Sequence, residues 1–144
     1  VTSLGECFNY LFDSRGGSPP LARLFRRVYG SLAPGGVFIF DIAEPGQVRG
    51  GAVNRVFTEG EDWIVLVEKQ EDPKQRLLTR RIISLRKLGD RYRRSDEVHR
   101  QRLYKSTEVA SELRRAGFRV RMVRSYGEHP LPEARAAFIA RKPA

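Results

Sequence analysis

The sequence predicts an α/β fold with a buried central strand and an inserted antiparallel β ribbon. The run 37–40 has no polar residue, which is typical of a strand covered on both faces. Pro34-Gly35-Gly36 stands directly before it and indicates a helix end, because proline cannot continue a helix and glycine adopts the positive φ of a reversal. From about residue 56 to 104 the pattern changes to β-rich segments separated by turns.

Length and composition favour one domain with a single core. The chain has 144 residues, of which 40% are hydrophobic. Its apolar runs fall short of the roughly 18 residues of a membrane span, and its start lacks the layout of a signal peptide. The single cysteine, Cys7, excludes an internal disulfide framework and fits a reducing compartment. We therefore expect a cytoplasmic protein without a membrane partner.

The positive charge is concentrated in the second half of the chain. The net charge is +10, and residues 74–124 hold 17 Lys or Arg against five Asp or Glu. A basic face of this kind attracts anions, including nucleic acid. The alternative is a solvated surface in a chain that prefers arginine, since only five of its 27 basic residues are lysine.

The first half of the chain reads as strand, helix and strand. Residues 1–4 resemble the end of a strand, and residues 5–12 a loop that enters a helical turn. Ser18 is the expected N-cap of a helix whose first turn contains Pro19 and Pro20. An apolar stripe at helical spacing then predicts an amphipathic helix; its members are Leu21, Leu24, Phe25, Val28 and Leu32.

The ribbon is predicted to have three antiparallel strands, at 63–69, 77–88 and 92–104. Gly89-Asp90 suits a two-residue hairpin turn between the last two. Both faces of these strands mix polar and apolar residues, so we expect the ribbon to be partly exposed.

A helix and two strands are predicted to close the chain. Ser106 or Thr107 is the expected N-cap of the helix, and Gly117 its left-handed C-terminal residue. Residues 118–126 are predicted as a strand, residues 127–132 as a loop and residues 136–140 as a final strand.

Four segments in this order resemble the C-terminal part of a class I S-adenosylmethionine-dependent methyltransferase. They are residues 1–11 (VTSLGECFNYL), 32–41 (LAPGGVFIFD), 108–118 (EVASELRRAGF) and 137–143 (AFIARKP). The resemblance covers nearly the whole chain, and the ribbon at residues 55–104 is its least matched part. It implies a Rossmann-like sheet in which this single partial domain, 1–144, supplies strands four to seven, with the antiparallel seventh strand between the fifth and sixth.

The cofactor loop of that family has no counterpart here. The first three strands are missing, and no Gly-x-Gly-x-Gly occurs in the sequence. We therefore expect a fragment of a longer polypeptide or a truncated relative that is inactive alone, with S-adenosyl-L-methionine as the cofactor of the complete chain.

The resemblance also implies site residues, although it identifies no catalytic residue. Four residues would lie beside the methionine part of the cofactor: Ser3, Leu4, Gly5 and Glu6. The residues implied near the methyl group or on the acceptor side are Phe8, Asn9, Tyr10, Asp41, His99 and Tyr104, with Glu44 as a further helper. The spacing of His and Cys makes a metal site improbable.

Structural roles compete with these assignments. Glu6 and Asn9 also suit caps of the helical turn that they begin. Cys7 suits a small core residue better than a nucleophile, and His99 suits an exposed strand.

Three functions therefore stay open from the sequence. The favoured one is methyl transfer to a small molecule. The others are an RNA-binding or RNA-modifying protein, based on the basic segment, and a non-catalytic module in which the sheet pairs with another chain, as in a homodimer.

Overall fold

The computed structural model describes residues 1–10, 20–48 and 52–144. The predicted N-cap at Ser18 and Pro19 lies outside these ranges. The described chain divides into two compact units, which are described separately: Val1–Pro45 with Arg102–Ala144, and Gly46–Gln101. Within the described ranges, no helix is both long and apolar enough to cross a bilayer.

The first unit contains the predicted α/β sheet, which we call the main sheet. Its strands are β1 (Thr2–Ser3), β2 (Val37–Ala43), β7 (Arg119–Val123) and β10 (Arg135–Arg141), in the order β1-β2-β10-β7. β1 runs parallel to β2, whereas β10 is antiparallel to both of its neighbours. This order confirms the expectation that the last strand, β10, lies antiparallel between the two preceding strands of the main sheet, β2 and β7.

Two helices pack on one face of the main sheet through a shared core. They are α1 (Pro20–Ser31) and α2 (Ser106–Arg115). Phe25 of α1 and Leu113 of α2 are fully buried in one hydrophobic cluster with Phe38 and Phe40 of β2. Complete burial of one such side chain contributes about 2–3 kcal/mol. The structure confirms the predicted apolar stripe of α1, because each residue of the stripe belongs to this cluster or packs against it.

The C-terminal end of α2 matches the sequence prediction. Gly117 has a φ of +103°, and the amide N–H groups of Gly117 and Phe118 donate to the carbonyl oxygens of Arg114 and Leu113. This pair of hydrogen bonds is the Schellman motif. A Cβ atom on Gly117 would lie 2.8 Å from Cζ of Tyr29, so the position requires glycine for its space as well as its backbone.

The N-terminal cap of α2 differs from the one predicted, Ser106 or Thr107. The helix begins at Ser106, the N-cap residue is Lys105, and its side chain makes no capping hydrogen bond. The carboxylate of Glu44, 62 residues earlier, accepts the Ser106 N–H at 3.0 Å instead. A cap supplied by a distant residue leaves no local sequence pattern, which is why Ser106 or Thr107 was expected.

The second unit is a four-stranded antiparallel sheet, which we call the ribbon. Its strands are β3 (Asn54–Glu59), β4 (Trp63–Asp72), β5 (Leu77–Leu88) and β6 (Arg91–Arg102), in sequence order. The prediction of three strands was wrong because β3 has only two apolar residues and is exposed throughout. The predicted hairpin turn at Gly89-Asp90 is confirmed, with Gly89 at a φ of +66°.

The predicted strand 118–126 is shorter than expected. β7 ends at Val123, and β8 (Ser125–Tyr126) pairs with β9 (His129–Pro130) in a separate hairpin within the predicted loop. Because the two strands have only two residues each and β9 contains a proline, periodicity does not reveal them.

Candidate functional site

The candidate site lies at the carboxyl ends of β1 and β2, within the first unit. The parallel pairing of Ser3 with Phe40 places the residues that follow β1 beside Asp41. Ser3 is half-buried, and the side chain of Leu4 is 54% exposed. In open α/β sheets, ligands bind in the crevice outside the carboxyl ends of the strands.

Asp41 fixes the shape of the loop that follows β1. Its side chain is buried, and its Oδ1 accepts the backbone N–H of Gly5 at 2.7 Å and that of Glu6 at 3.3 Å. Gly5 has a φ of +87° and Glu6 a φ of +60°. The left-handed conformation costs a non-glycine residue about 1–2 kcal/mol, so the charged acceptor offsets strain at Glu6.

Glu6 directs its buried carboxylate to Arg135 at the start of β10, with which it forms an ion pair. This places the Glu6 side chain among the polar groups of the main sheet. The sequence did not single out Arg135, because an arginine at a strand terminus is common on surfaces. The role of Glu6 in cofactor binding stays a prediction.

Asn9 attaches the 3₁₀ helix Cys7–Tyr10 to the end of β2. Its Oδ1 accepts the Ala43 N–H at 2.9 Å, and its Nδ2 donates to the carbonyl oxygens of Ala43 at 2.9 Å and Arg102 at 2.6 Å. These bonds satisfy an amide that is fully buried. The Asn9 side chain therefore bonds residues distant in sequence, which differs from the cap of its own helical turn that the sequence suggested.

The neighbours of Asn9 on this helix differ in exposure. Phe8 packs edge-on against Phe38 and Phe40, with ring centroids 5.9 and 5.1 Å away. The Tyr10 side chain is 44% exposed. The acceptor roles of Phe8, Asn9 and Tyr10 stay predictions. Cys7 is exposed, which corrects the expectation of a small core residue, and its Sγ donates to the Leu4 carbonyl at 3.2 Å.

Glu44 connects three elements of the first unit. Its carboxylate accepts from Ser106 of α2 and pairs with Arg124 after β7, while its N–H donates to the Ala134 carbonyl at 2.8 Å. Burial alone raises the pKa of this carboxyl, but hydrogen bonds from Ser106 and the charge of Arg124 outweigh that and lower the pKa overall. Glu44 is therefore held as a carboxylate at the N-terminus of α2.

Two tyrosines approach the same end of β2. The Tyr104 N–H donates to the Ala43 carbonyl at 3.3 Å, and burial raises the pKa of its phenol against the opposing charge of Arg102. Burial, together with the charge of Asp41, raises the pKa of Tyr126 to about 12. The sequence analysis predicted Tyr126 as the last residue of a strand and did not single it out as a site residue.

The predicted site residues thus fall in both units. The structure brings most of them to one end of the main sheet; these are Ser3, Leu4, Gly5, Glu6, Phe8, Asn9, Tyr10, Asp41 and Tyr104. His99 lies on β6 in the second unit and bonds Glu97 at 2.8 Å. Its acceptor role stays a prediction. Over residues 1–10, 20–48 and 52–144, no three His, Cys, Asp or Glu side chains converge on a point where they could hold a metal ion.

Comparison with solved structures shows the fold. A S-adenosylmethionine-dependent methyltransferase from Clostridium acetobutylicum matches 99% of this chain with a TM-score of 0.79 at 24% identity. DesVI from Streptomyces venezuelae matches 100% at a TM-score of 0.74 and 20% identity. The SAM-bound amino pentose methyltransferase CalS10 from Micromonospora echinaspora matches 99% at 0.73 and 20% identity.

The match covers only part of those proteins. The chain spans 57%, 58% and 57% of their lengths, respectively. No protein-family model and no curated protein sequence matches the chain. The chain therefore has the Rossmann-like fold of the C-terminal part of these methyltransferases.

Proposed function

We propose that this chain is the C-terminal part of an enzyme that transfers a methyl group from S-adenosyl-L-methionine to a small-molecule acceptor. The observation that carries the proposal is the strand order β1-β2-β10-β7 with antiparallel β10, in a fold that matches solved methyltransferases over 99% of the chain. The activity belongs to the complete polypeptide, and residues 1–144 alone are inactive in this proposal.

The loop after β1 fits the proposed donor. Among the described residues other than its chain neighbours, none has a heavy atom within 4 Å of the position that a Cβ of Gly5 would occupy, so the backbone there allows close approach of a ligand. When bound, S-adenosyl-L-methionine supplies a methyl group on a positively charged sulfur. The buried carboxylate of Asp41 favours positive charge nearby.

The residues of this chain contribute positioning. Methyl transfer requires an in-line approach of the acceptor to the methyl carbon, and correct orientation supplies much of the rate acceleration. Asp41 holds the loop of Gly5 and Glu6, and Asn9 holds the 3₁₀ helix that carries Tyr10. Exposed Tyr10 is the acceptor-side candidate on that helix, and Tyr104 is the candidate at the end of β2.

Calorimetric titration of the natural polypeptide that contains this chain with S-adenosyl-L-methionine tests the proposal. We expect binding by that polypeptide and no methyl transfer by residues 1–144 alone. Asp41→Ala should weaken binding about tenfold, the equivalent of one hydrogen bond to a charged group. Glu128→Ala, on an exposed turn, is the matched control. The absence of binding by the folded natural polypeptide would refute the proposal.

We also propose a homodimer that associates through the ribbon. A groove of about 420 Å³ on the ribbon is lined by apolar side chains that include Phe57, Leu66 and Val98, which are 67%, 40% and 62% exposed. Charged residues of both signs, among them Arg55 and Glu68, lie in the same groove. A surface with an apolar centre and both signs of charge is complementary to a second copy of itself.

Sedimentation velocity tests this association. Phe57→Glu should convert a dimer into a monomer, because a buried unpaired carboxylate is costly at an interface. Leu88→Glu, which is exposed outside the groove, should leave the dimer intact. A monomeric wild-type protein at micromolar concentration would contradict the proposal.

Two further assignments stay predictions. RNA binding by the basic segment 74–124 predicts affinity that falls steeply with salt. The cytoplasmic location depends on composition and on the single cysteine.

A further inference from the structure

The hydroxyl of Tyr126 is buried and finds no hydrogen-bond partner among the residues that the structure describes. Leaving such a group unpaired costs about 1–3 kcal/mol, whereas phenylalanine would fill the same ring position without that cost. Tyr126 lies in the short hairpin after β7, away from the helical core. A polar group maintained at a cost in stability often serves binding.

The strand register places Asp41 on the face of the main sheet opposite the helices. Asp41 pairs with Ala137, and Ala137 pairs with Val123, so these three residues share one face. Phe40 and Phe138, which alternate with them, face the core under α1 and α2. β7 runs parallel to β2, because β10 is antiparallel to both, so Tyr126, three residues after Val123, lies beyond the same carboxyl end of the main sheet as Asp41. The charge of Asp41 adds to the effect of burial in raising the pKa of the Tyr126 phenol. Both polar groups therefore belong to one end of the main sheet.

The two groups have complementary hydrogen-bonding requirements. Oδ1 of Asp41 already accepts two backbone N–H groups, and a carboxylate has further acceptor positions on its second oxygen. The phenol O–H of Tyr126 can donate a hydrogen bond, and no described residue accepts it. A ligand hydroxyl can accept from Tyr126 and donate to Asp41 at once. An ammonium group only donates, which would leave the Tyr126 proton unmatched.

We propose that Tyr126 and Asp41 form a subsite for one hydroxyl group of a small polar ligand, and the proposed function makes that ligand the methyl acceptor. Because the pKa of Tyr126 is about 12, the phenol keeps its proton at neutral pH and remains a donor. Tyr126 is thus a substrate-binding group that also determines specificity.

The test uses the natural polypeptide that contains this chain, labelled with 13C at the ζ position of tyrosine. The probes are tetrahydropyran-4-ol, tetrahydropyran and tetrahydropyran-4-amine, which differ only in the presence of a hydroxyl or ammonium group. Tyr126→Phe assigns the resonance of Tyr126 by its loss. Tyr29, half-buried against Phe118 on the helical side, supplies the matched control signal.

We expect the alcohol alone to shift the Tyr126 resonance in a saturable way, while the Tyr29 resonance stays in place. Asp41→Asn keeps an oxygen for the loop but has lost the charge, and it should weaken the response to the alcohol about tenfold. An equal response to tetrahydropyran or to the amine overturns the proposal. So does the absence of any response, as expected if the hydroxyl holds only an ordered water.

The outcome is separable from that of the proposed function. A Tyr126 response in a polypeptide that does not bind S-adenosyl-L-methionine would preserve the hydroxyl subsite and refute methyl transfer. Cofactor binding without a Tyr126 response to the alcohol would do the reverse.

Discussion

Replacing Glu44 with alanine removes the cap of α2 together with the link between α2 and the main sheet. Glu44 accepts the Ser106 N–H at 3.0 Å and pairs with Arg124, and its side chain is 13% exposed. Loss of an N-cap costs about 0.5–2 kcal/mol, and loss of a negative charge at a helix N-terminus about 0.3–1 kcal/mol. The ion pair adds little, because the Arg124 side chain is 55% exposed.

We therefore expect Glu44→Ala to lower the free energy of unfolding by about 2 kcal/mol, or to lower the Tm by roughly 6 °C for a chain of this size. Glu44→Gln keeps an acceptor oxygen but loses the charge, so its cost should be about half as large. Glu128→Ala, on an exposed turn, should have no effect. Urea denaturation and thermal melts followed by circular dichroism measure all three variants.

The pH dependence gives the sharper test. Burial opposes ionisation of Glu44, but hydrogen bonds from Ser106 and the charge of Arg124 lower its pKa in the folded state. A lowered folded-state pKa gives stability that is complete above the ordinary glutamate pKa and is lost as the pH falls through the folded-state value. The advantage of wild type over Glu44→Gln should be constant above about pH 5 and shrink below it. An advantage that grows on acidification would refute this reasoning.

Three further substitutions test the geometry of the first unit by thermal and chemical denaturation, with a fourth, in the ribbon, as a glycine control. Tyr126→Phe should raise the free energy of unfolding by about 1 kcal/mol by removing an unpaired hydroxyl, and a loss of stability would show that the hydroxyl has a structural partner. Asn9→Ala should cost about 2–4 kcal/mol, since it removes the side-chain acceptor of the buried Ala43 N–H and the donor to the Ala43 and Arg102 carbonyls, and a neutral result would contradict the attachment role. Gly117→Ala should cost at least about 2 kcal/mol because of its φ and its contact with Tyr29, whereas Gly89→Ala, with open space around it, should cost about 1 kcal/mol.

Local patterns in the sequence predicted much of the secondary structure of the first unit. The apolar run of β2, the helical stripe of α1 and the glycine at 117 each depend on residues close in sequence, and the structure confirms all three. The ordered motifs likewise indicated the strand order of the main sheet, because a fold of this kind constrains how its elements connect.

The contacts between polar groups at the carboxyl end of the main sheet could not be predicted from local patterns. The cap at Glu44, the ion pair between Glu6 and Arg135, and the position of Tyr126 near Asp41 join residues from 62 to 129 positions apart. Strand β3 was missed for a related reason, since its exposed residues carry no periodic signal.

The sequence by itself determined which segments are strands and helices in the main sheet, because hydrophobic periodicity and turn residues act within a few positions of the chain. Only the tertiary structure decided which polar side chains meet at the end of β2. Hydrogen bonds and charges at that end depend on distances between strands, and those distances exist only once the sheet has assembled.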